Sequence, residues 1–210
     1  MIPMPHGGEF SMRIITGEYR GRKLKTPKGN GIRPTSDKVK ESIFNLLMNE
    51  TYNRTFCDLF AGTGSLGLEA LSRGAKRCYF CDNSRESIGI IKENVAHCGA
   101  ETESIIIHGD YSRALSKIAE KIDVFLLDPL YNTGLYEKCF RLIERLDLLS
   151  LNGIILAEHA SFDKLPDTVG GIAKIREKRY GKTTVSIYGF SVYATGKDSS
   201  RELRDRKSVV

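Results

Sequence analysis

Nothing in this chain approaches the roughly 18 consecutive apolar residues that a bilayer span requires, and its first residues lack the basic-then-apolar layout of a secretory signal. Both absences argue against a membrane-spanning or exported class and make the cytoplasm the expected location. Cysteine is sparse, odd in number and scattered: Cys57, Cys78, Cys81, Cys98 and Cys139 form no paired framework and are expected to be reduced, buried thiols. Cys78 and Cys81 have the spacing of a metal-binding pair, but no second pair completes a zinc site. A strand would also point them to opposite faces, so no metal is expected. There is no internal repeat. The 210 residues suit one domain with a sizeable core.

Acid is scarce in one segment. Between Arg13 and Lys40 nine basic residues face only Glu18 and Asp37, a local balance of +7 that leaves the rest of the chain at −1. A positive excess confined to one short segment is the electrostatic footprint of phosphate contacts.

Residues 1–11, MIPMPHGGEFS, are rich in Pro and Gly, lack periodicity and precede Met12; they read as a disordered leader outside the fold. Residues 12–35 read as a basic extension, with two short strands joined around Gly17 to Gly21. Residues 36–196 then form the main domain. Val39, Ile43, Leu46 and Leu47 share one face of a helix capped by Ser36 or Asp37. From Thr55 short apolar strands alternate with helical segments: TFCDLF, RCYFCD, SIIIHGD, DVFLLD and GIILAEH are the strands. That alternation predicts an α/β fold with a mostly parallel, doubly wound sheet. AKIREKRYGKTTVSIYGF, two strands with no helix between them, adds an antiparallel C-terminal hairpin and brings the expected count to seven strands. Residues 197–210 read as a polar tail.

In such sheets ligands bind beyond the carboxyl ends of the strands, and four of those ends carry an acid. The first strand leads into DLFAGTGSLG, where Gly62, Gly64 and Gly67 have the spacing that lets a backbone approach a ligand at a helix N-terminus. Asp82 ends the second strand, placed to accept both hydrogen bonds of a ribose diol. A dinucleotide and any other adenosine cofactor satisfy these features equally. Asp58 separates them, because a carboxylate before the glycines repels a pyrophosphate and attracts the sulfonium and ammonium of S-adenosylmethionine. Asp110 ends the third strand, within reach of an adenine amine. Each acid could instead be a helix N-cap, which strand-to-helix turns favour.

The fourth end is Asp128-Pro129-Leu130-Tyr131. An exocyclic amine on a base is a poor nucleophile because its lone pair is delocalised into the ring. Asp128 and the Pro129 carbonyl can accept its two N–H groups and so aim the lone pair, while Tyr131 stacks on a base drawn out of its stack.

The order DLFAGTGSLG, FCD, GD, DPLY resembles class I methyltransferases of the amino-group type. MRIITGEYRGRKL, RPTSDKVKESIFNLL and RYGKTTVSIY resemble more narrowly the bacterial 16S rRNA guanine-N2 methyltransferases of the RsmD family, over roughly Met12 to Gly196. The resemblance implies a Rossmann-like sheet and methyl transfer from S-adenosylmethionine to the N2 amine of a guanine in small-subunit rRNA. It implies that the rRNA is met within an assembling small subunit, by a monomeric enzyme. The implied cofactor residues are Asp58, Phe60, Ala61, Gly62, Thr63, Gly64, Asp82 and Asp110. The implied catalytic residues are Asp128, Pro129 and Tyr131, and the RNA contacts Arg20, Arg22, Lys23, Arg33, Pro34 and Thr35. The family signature carries a second proline where this chain has Leu130, which restores an N–H and relaxes the loop without removing either acceptor. Three other readings stay open: adenine-N6 or protein amide methylation, a nicotinamide-dependent oxidoreductase, and a non-catalytic RNA-binding factor.

Overall fold

A computed structural model describes residues 12–27, 37–47, 50–129 and 134–191. Five strands, β1 (Thr55–Asp58), β2 (Arg77–Asp82), β3 (Ser104–His108), β4 (Ile122–Leu127) and β5 (Leu149–Ala160), pair in parallel. β6 (Thr168–Val169), β7 (Ile172–Tyr180) and β8 (Thr183–Phe190) complete one sheet of order β3-β2-β1-β4-β5-β8-β7-β6, with β8 antiparallel to β5. The order reverses between β1 and β4, which opens a crevice at their carboxyl ends.

Strand side chains alternate between faces, and the two cores follow that period. Phe56, Cys78, Phe80, Leu126 and Leu156 point into one core; Cys57, Tyr79, Cys81, Phe125 and Ala157 point into the other. Cys78 and Cys81 therefore lie on opposite faces, as their spacing in a strand demands, and all five cysteines are buried free thiols. The first face is covered by α1 (Asp37–Leu47), α2 (Ser65–Ser72) and α3 (Arg85–Cys98), the second by α4 (Tyr111–Leu115) and α5 (Leu135–Arg145). Ser84 caps α3 by accepting from Ser87 N, and Gly99 closes it in the left-handed conformation.

The sheet has eight strands rather than seven. The addition, β6, is two residues long and pairs only with the start of β7, so it is too short to carry a periodic signal. α4 is a single turn of five residues where YSRALSKIAEK suggested more; Ser116 ends it and donates back to the Arg113 carbonyl. The N-terminal extension is a hairpin-like loop held by one antiparallel bridge, Arg13 to Lys23, instead of two strands. Its regularity comes from burial: Met12, Ile14, Tyr19 and Leu24 belong to the core beneath α1 to α3.

Candidate active site

β1 is buried along its whole length and delivers Asp58 to the crevice at 2% exposure. Its Oδ2 accepts from Gly67 N at 3.0 Å, at the start of α2. Burial pushes the carboxyl up to about 7, reinforced by the charges of Asp128 and Asp82 and only partly offset by the Gly67 bond.

The following loop is pinned at both sides. Leu59 N donates to Leu126 O and Ala61 N to Cys81 O, so the loop spans the carboxyl ends of β4 and β2. Gly62 (φ 55°) and Gly64 (φ 77°) adopt the left-handed conformation that L side chains avoid. A Cβ at Gly62 would meet nothing within 4 Å, which leaves the outer side of the loop open. Gly67 serves packing instead: its Cβ would lie 2.3 Å from Phe80 Cε1 and 2.7 Å from Cys78 Sγ. Phe60 is half-buried, against the core of the opposite face. Ala61 is buried; Thr63 is too, its hydroxyl donating to Met12 Sδ at 3.0 Å and its carbonyl accepting from Asn94 Nδ2 at 2.9 Å.

Asp82 ends β2 and accepts from Gly62 N on Oδ2 and from Ser84 N on Oδ1, each at 2.8 Å. Its carboxylate therefore fixes the glycine loop as well as facing the crevice. Asp110 is exposed and caps α4, taking Arg113 N and Ser112 Oγ on the single oxygen Oδ1. These bonds hold its carboxyl below the usual range. For this acid the capping role considered from sequence is present.

Asp128 and Pro129 follow β4 directly, one half-buried and the other buried, beside Asp58 across the β1–β4 boundary. Tyr136 on α5 closes this corner, its hydroxyl donating to Glu158 O on β5. Burial and the nearby Asp128 charge push the Tyr136 phenol far up, so it stays a neutral donor. Leu130 and Tyr131 lie outside the described residues, as do Arg33, Pro34 and Thr35.

The remaining predicted RNA contacts sit elsewhere. Arg20 and Lys23 are exposed; Arg22 donates to His97 O and lies 5.2 Å from the Tyr19 ring centre. The turn of the extension rests on Ser72, at the carboxyl end of α2, where a Cβ on Gly17 would come 1.7 Å from Ser72 O. At 1.5 Å per residue, α2 separates this turn from the glycine loop by about 12 Å. His108 bonds Asn83 O, and His159 bonds Ala160 O and Ser186 Oγ, so these two ring systems are tied into the framework.

Sequence reasoning passed over the residues that dock the extension. Glu69 accepts from Ile15 N at 2.8 Å and Thr16 N at 3.0 Å; Ser72 Oγ accepts from Tyr19 N and donates to Thr16 O. Asn94 takes Lys25 N on Oδ1, and its Nδ2 reaches both Lys25 O and Thr63 O. The available signal was an acid inside the otherwise apolar SLGLEALS.

A mostly parallel sheet with a reversed strand order, an antiparallel terminal hairpin and a carboxylate before the glycine loop defines a class I methyltransferase fold. A family model described as conserved hypothetical protein 95 matches residues 12–189. YlbH of Bacillus subtilis is 39% identical over 84% of this chain and 98% of its own length. Ribosomal RNA small subunit methyltransferase D of Escherichia coli is 33% identical over 87% of this chain and 92% of its own. The solved structure of yhhF from Escherichia coli superposes with a TM-score of 0.78, at 29% identity over 86% of this chain and 98% of that one. The chain belongs to the RsmD family of class I methyltransferases.

Proposed function

We propose that the protein methylates the exocyclic N2 amine of a guanine in small-subunit rRNA, using S-adenosylmethionine. The observation that carries this reading is the convergence of Asp58, Asp82 and Asp128 on the β1–β4 crevice, around a glycine loop whose outer side is open. Ionised carboxylates are acceptor-only, so this set suits a partner bearing a cation, a diol and amine hydrogens and disfavours a pyrophosphate. S-adenosylmethionine has those groups; when bound it supplies an electrophilic methyl on sulfur.

Asp58 and the loop Phe60, Ala61, Gly62, Thr63 and Gly64 would hold its methionine part, Asp82 the ribose and Asp110 the adenine. Asp128 and the Pro129 carbonyl accept the two N–H groups of the guanine amine and aim its lone pair at the methyl, with Tyr131 stacked on the base. Arg20, Arg22, Lys23, Arg33, Pro34 and Thr35, in the extension of residues 12–35, contact rRNA in an assembling subunit. The enzyme acts as a monomer in the cytoplasm.

The test offers methyl-labelled S-adenosylmethionine with undermodified small subunits, naked rRNA and duplex DNA in parallel, followed by nucleoside analysis. Label in N2-methylguanosine from small-subunit RNA is expected; label in N6-methyladenine, or in DNA alone, overturns the reading.

Asp58 adds a pH dependence. Its folded pKa lies above the unfolded value, so the stability it contributes is full below pH 4 and is lost as pH rises through about 7, where a buried charge forms. An ammonium-bearing ligand reverses that penalty by favouring the carboxylate. Affinity for S-adenosylhomocysteine should therefore climb between about pH 5.5 and 7, by up to about tenfold per unit. Calorimetry across that range should show proton release on binding, and Asp58→Asn should flatten the profile.

A further inference from the structure

β8 runs antiparallel to β5, with Thr183 opposite Ala160, so the β7–β8 turn projects from the same edge of the sheet as the active-site loops. That turn is basic: Lys178, Arg179 and Lys182 are exposed and form no ion pair among the described residues. The connection leaving β5 is bound to it, since Ser161 N donates to Lys182 O at 2.9 Å and Ser161 Oγ to Gly181 O at 3.1 Å. The next residue, Phe162, is 78% exposed. Tyr180 lies beneath Lys178, whose Nζ is 5.4 Å from the ring centre. Arg179 Nε also donates to Gly181 O at 3.0 Å, which braces the turn. A solvated aromatic ring beside cations that have no carboxylate partner is an arrangement that takes single-stranded nucleic acid, with bases on the ring and phosphates on the charges.

Position supports the same occupant. β5 neighbours β4, and with Leu127 opposite Ala157, Phe162 lies one strand spacing of about 4.8 Å to the side of Asp128 and about four residues, roughly 13 Å, further out along the strand direction. The turn joins β8 and β7, two and three spacings from β4, a sideways distance of about 10 to 14 Å. The turn of the N-terminal extension, by contrast, lies at the far end of α2. A guanine whose two N2 hydrogens are both taken by the enzyme has lost its Watson–Crick pairing, so the nucleotides beside it are unpaired where they cross the rim.

Resting on the rRNA methylation reading, we propose that the β7–β8 turn and Phe162 form an RNA-binding rim that holds the single-stranded segment flanking the target guanine. Phe162 stacks a neighbouring base, while Lys178, Arg179 and Lys182 take the phosphates.

The experiment measures KM for an unmodified small-subunit rRNA transcript against salt, with labelled S-adenosylmethionine. It compares the parent with Phe162→Ala, with the triple variant Lys178→Ala, Arg179→Ala, Lys182→Ala, and with a charge-matched control, Lys76→Ala, Lys92→Ala, Lys117→Ala. The rim triple should raise KM on the order of tenfold or more near 0.15 M salt and lower the slope of log KM against log salt by about two. Phe162→Ala should raise KM roughly fivefold or more and leave that slope alone. Melting temperature and S-adenosylhomocysteine affinity report that these surface variants are folded. Parent-like KM and slope in the rim variants, or equal losses in the control triple, would overturn the rim. A parent that labels no small-subunit RNA would overturn the methylation reading, and the rim with it.

Discussion

Replacing Asp128 by alanine is expected to lower kcat for methyl transfer by a factor of about 10² to 10³ while leaving S-adenosylhomocysteine binding no weaker than in the parent. The first half follows from the task proposed for Asp128. An amine whose lone pair is spread into a purine ring gains nucleophilicity only if its hydrogens are held where the lone pair can face the methyl. Losing one of two fixed acceptors removes a contact that strengthens as positive charge develops on nitrogen. The second half follows from electrostatics within the crevice. The Asp128 charge helps to hold the Asp58 carboxyl high, so its removal lets Asp58 ionise at lower pH and meet an ammonium more readily. Single-turnover rates with saturating RNA, beside calorimetric titration of S-adenosylhomocysteine from pH 6 to 8, separate the two effects. An Asp128→Ala enzyme with parental turnover would remove Asp128 from the chemistry; weakened cofactor binding would make it a cofactor residue instead.

The parallel sheet could be read from the sequence because four of its five strands are short apolar runs that end in, or run straight into, an acid or a glycine. Asp58, Asp82, Asp110 and Asp128 could be read by position, because each closes or closely follows such a run. What could not be read depends on contacts distant in the chain. β6 exists because Thr168 and Val169 find the edge of β7, a pairing that no local period announces. The two strands expected between Met12 and Lys25 shrink to a single bridge because the amides of Ile15, Thr16, Tyr19 and Lys25 are met by Glu69, Ser72 and Asn94, residues 53 to 69 positions away. Asp110 and Asp58 look alike in sequence, each an acid at a strand end, yet one is an exposed cap below its usual range and the other a buried carboxyl near 7. Burial divides them, and burial is a property of the assembled sheet. The positive charge between Arg13 and Lys40 was likewise visible as a total but not by position. Part of it, Lys40, is fully buried and serves the fold.

That buried charge sets the largest expected change in stability. Lys40 and Glu69 are both 0% exposed, with Nζ 3.7 Å from Oε2. Nζ also donates to Arg13 O and to Ser65 Oγ. Glu69 takes Arg73 Nε at 2.8 Å as well as the Ile15 and Thr16 amides. Glu69→Gln leaves a lysine without its carboxylate in a site closed to water, and breaking a buried pair in this way costs about 3–5 kcal/mol. For a chain of this size that lowers the melting temperature by roughly 10 °C or more. Burial already pulls the Lys40 pKa down, with Glu69 the main opposing influence. In the variant the pKa should fall further. A lysine whose folded pKa is depressed costs stability while it is protonated, and the cost is relieved as pH rises through the folded value. The deficit of Glu69→Gln should therefore shrink as pH is raised from neutral toward the ordinary lysine range, and adding Lys40→Met should recover part of it at neutral pH. Urea unfolding of the parent, both single variants and the double variant at two pH values completes the cycle. Additive losses with no pH trend would show that the pair is uncoupled, and that the extension is held by its apolar residues alone.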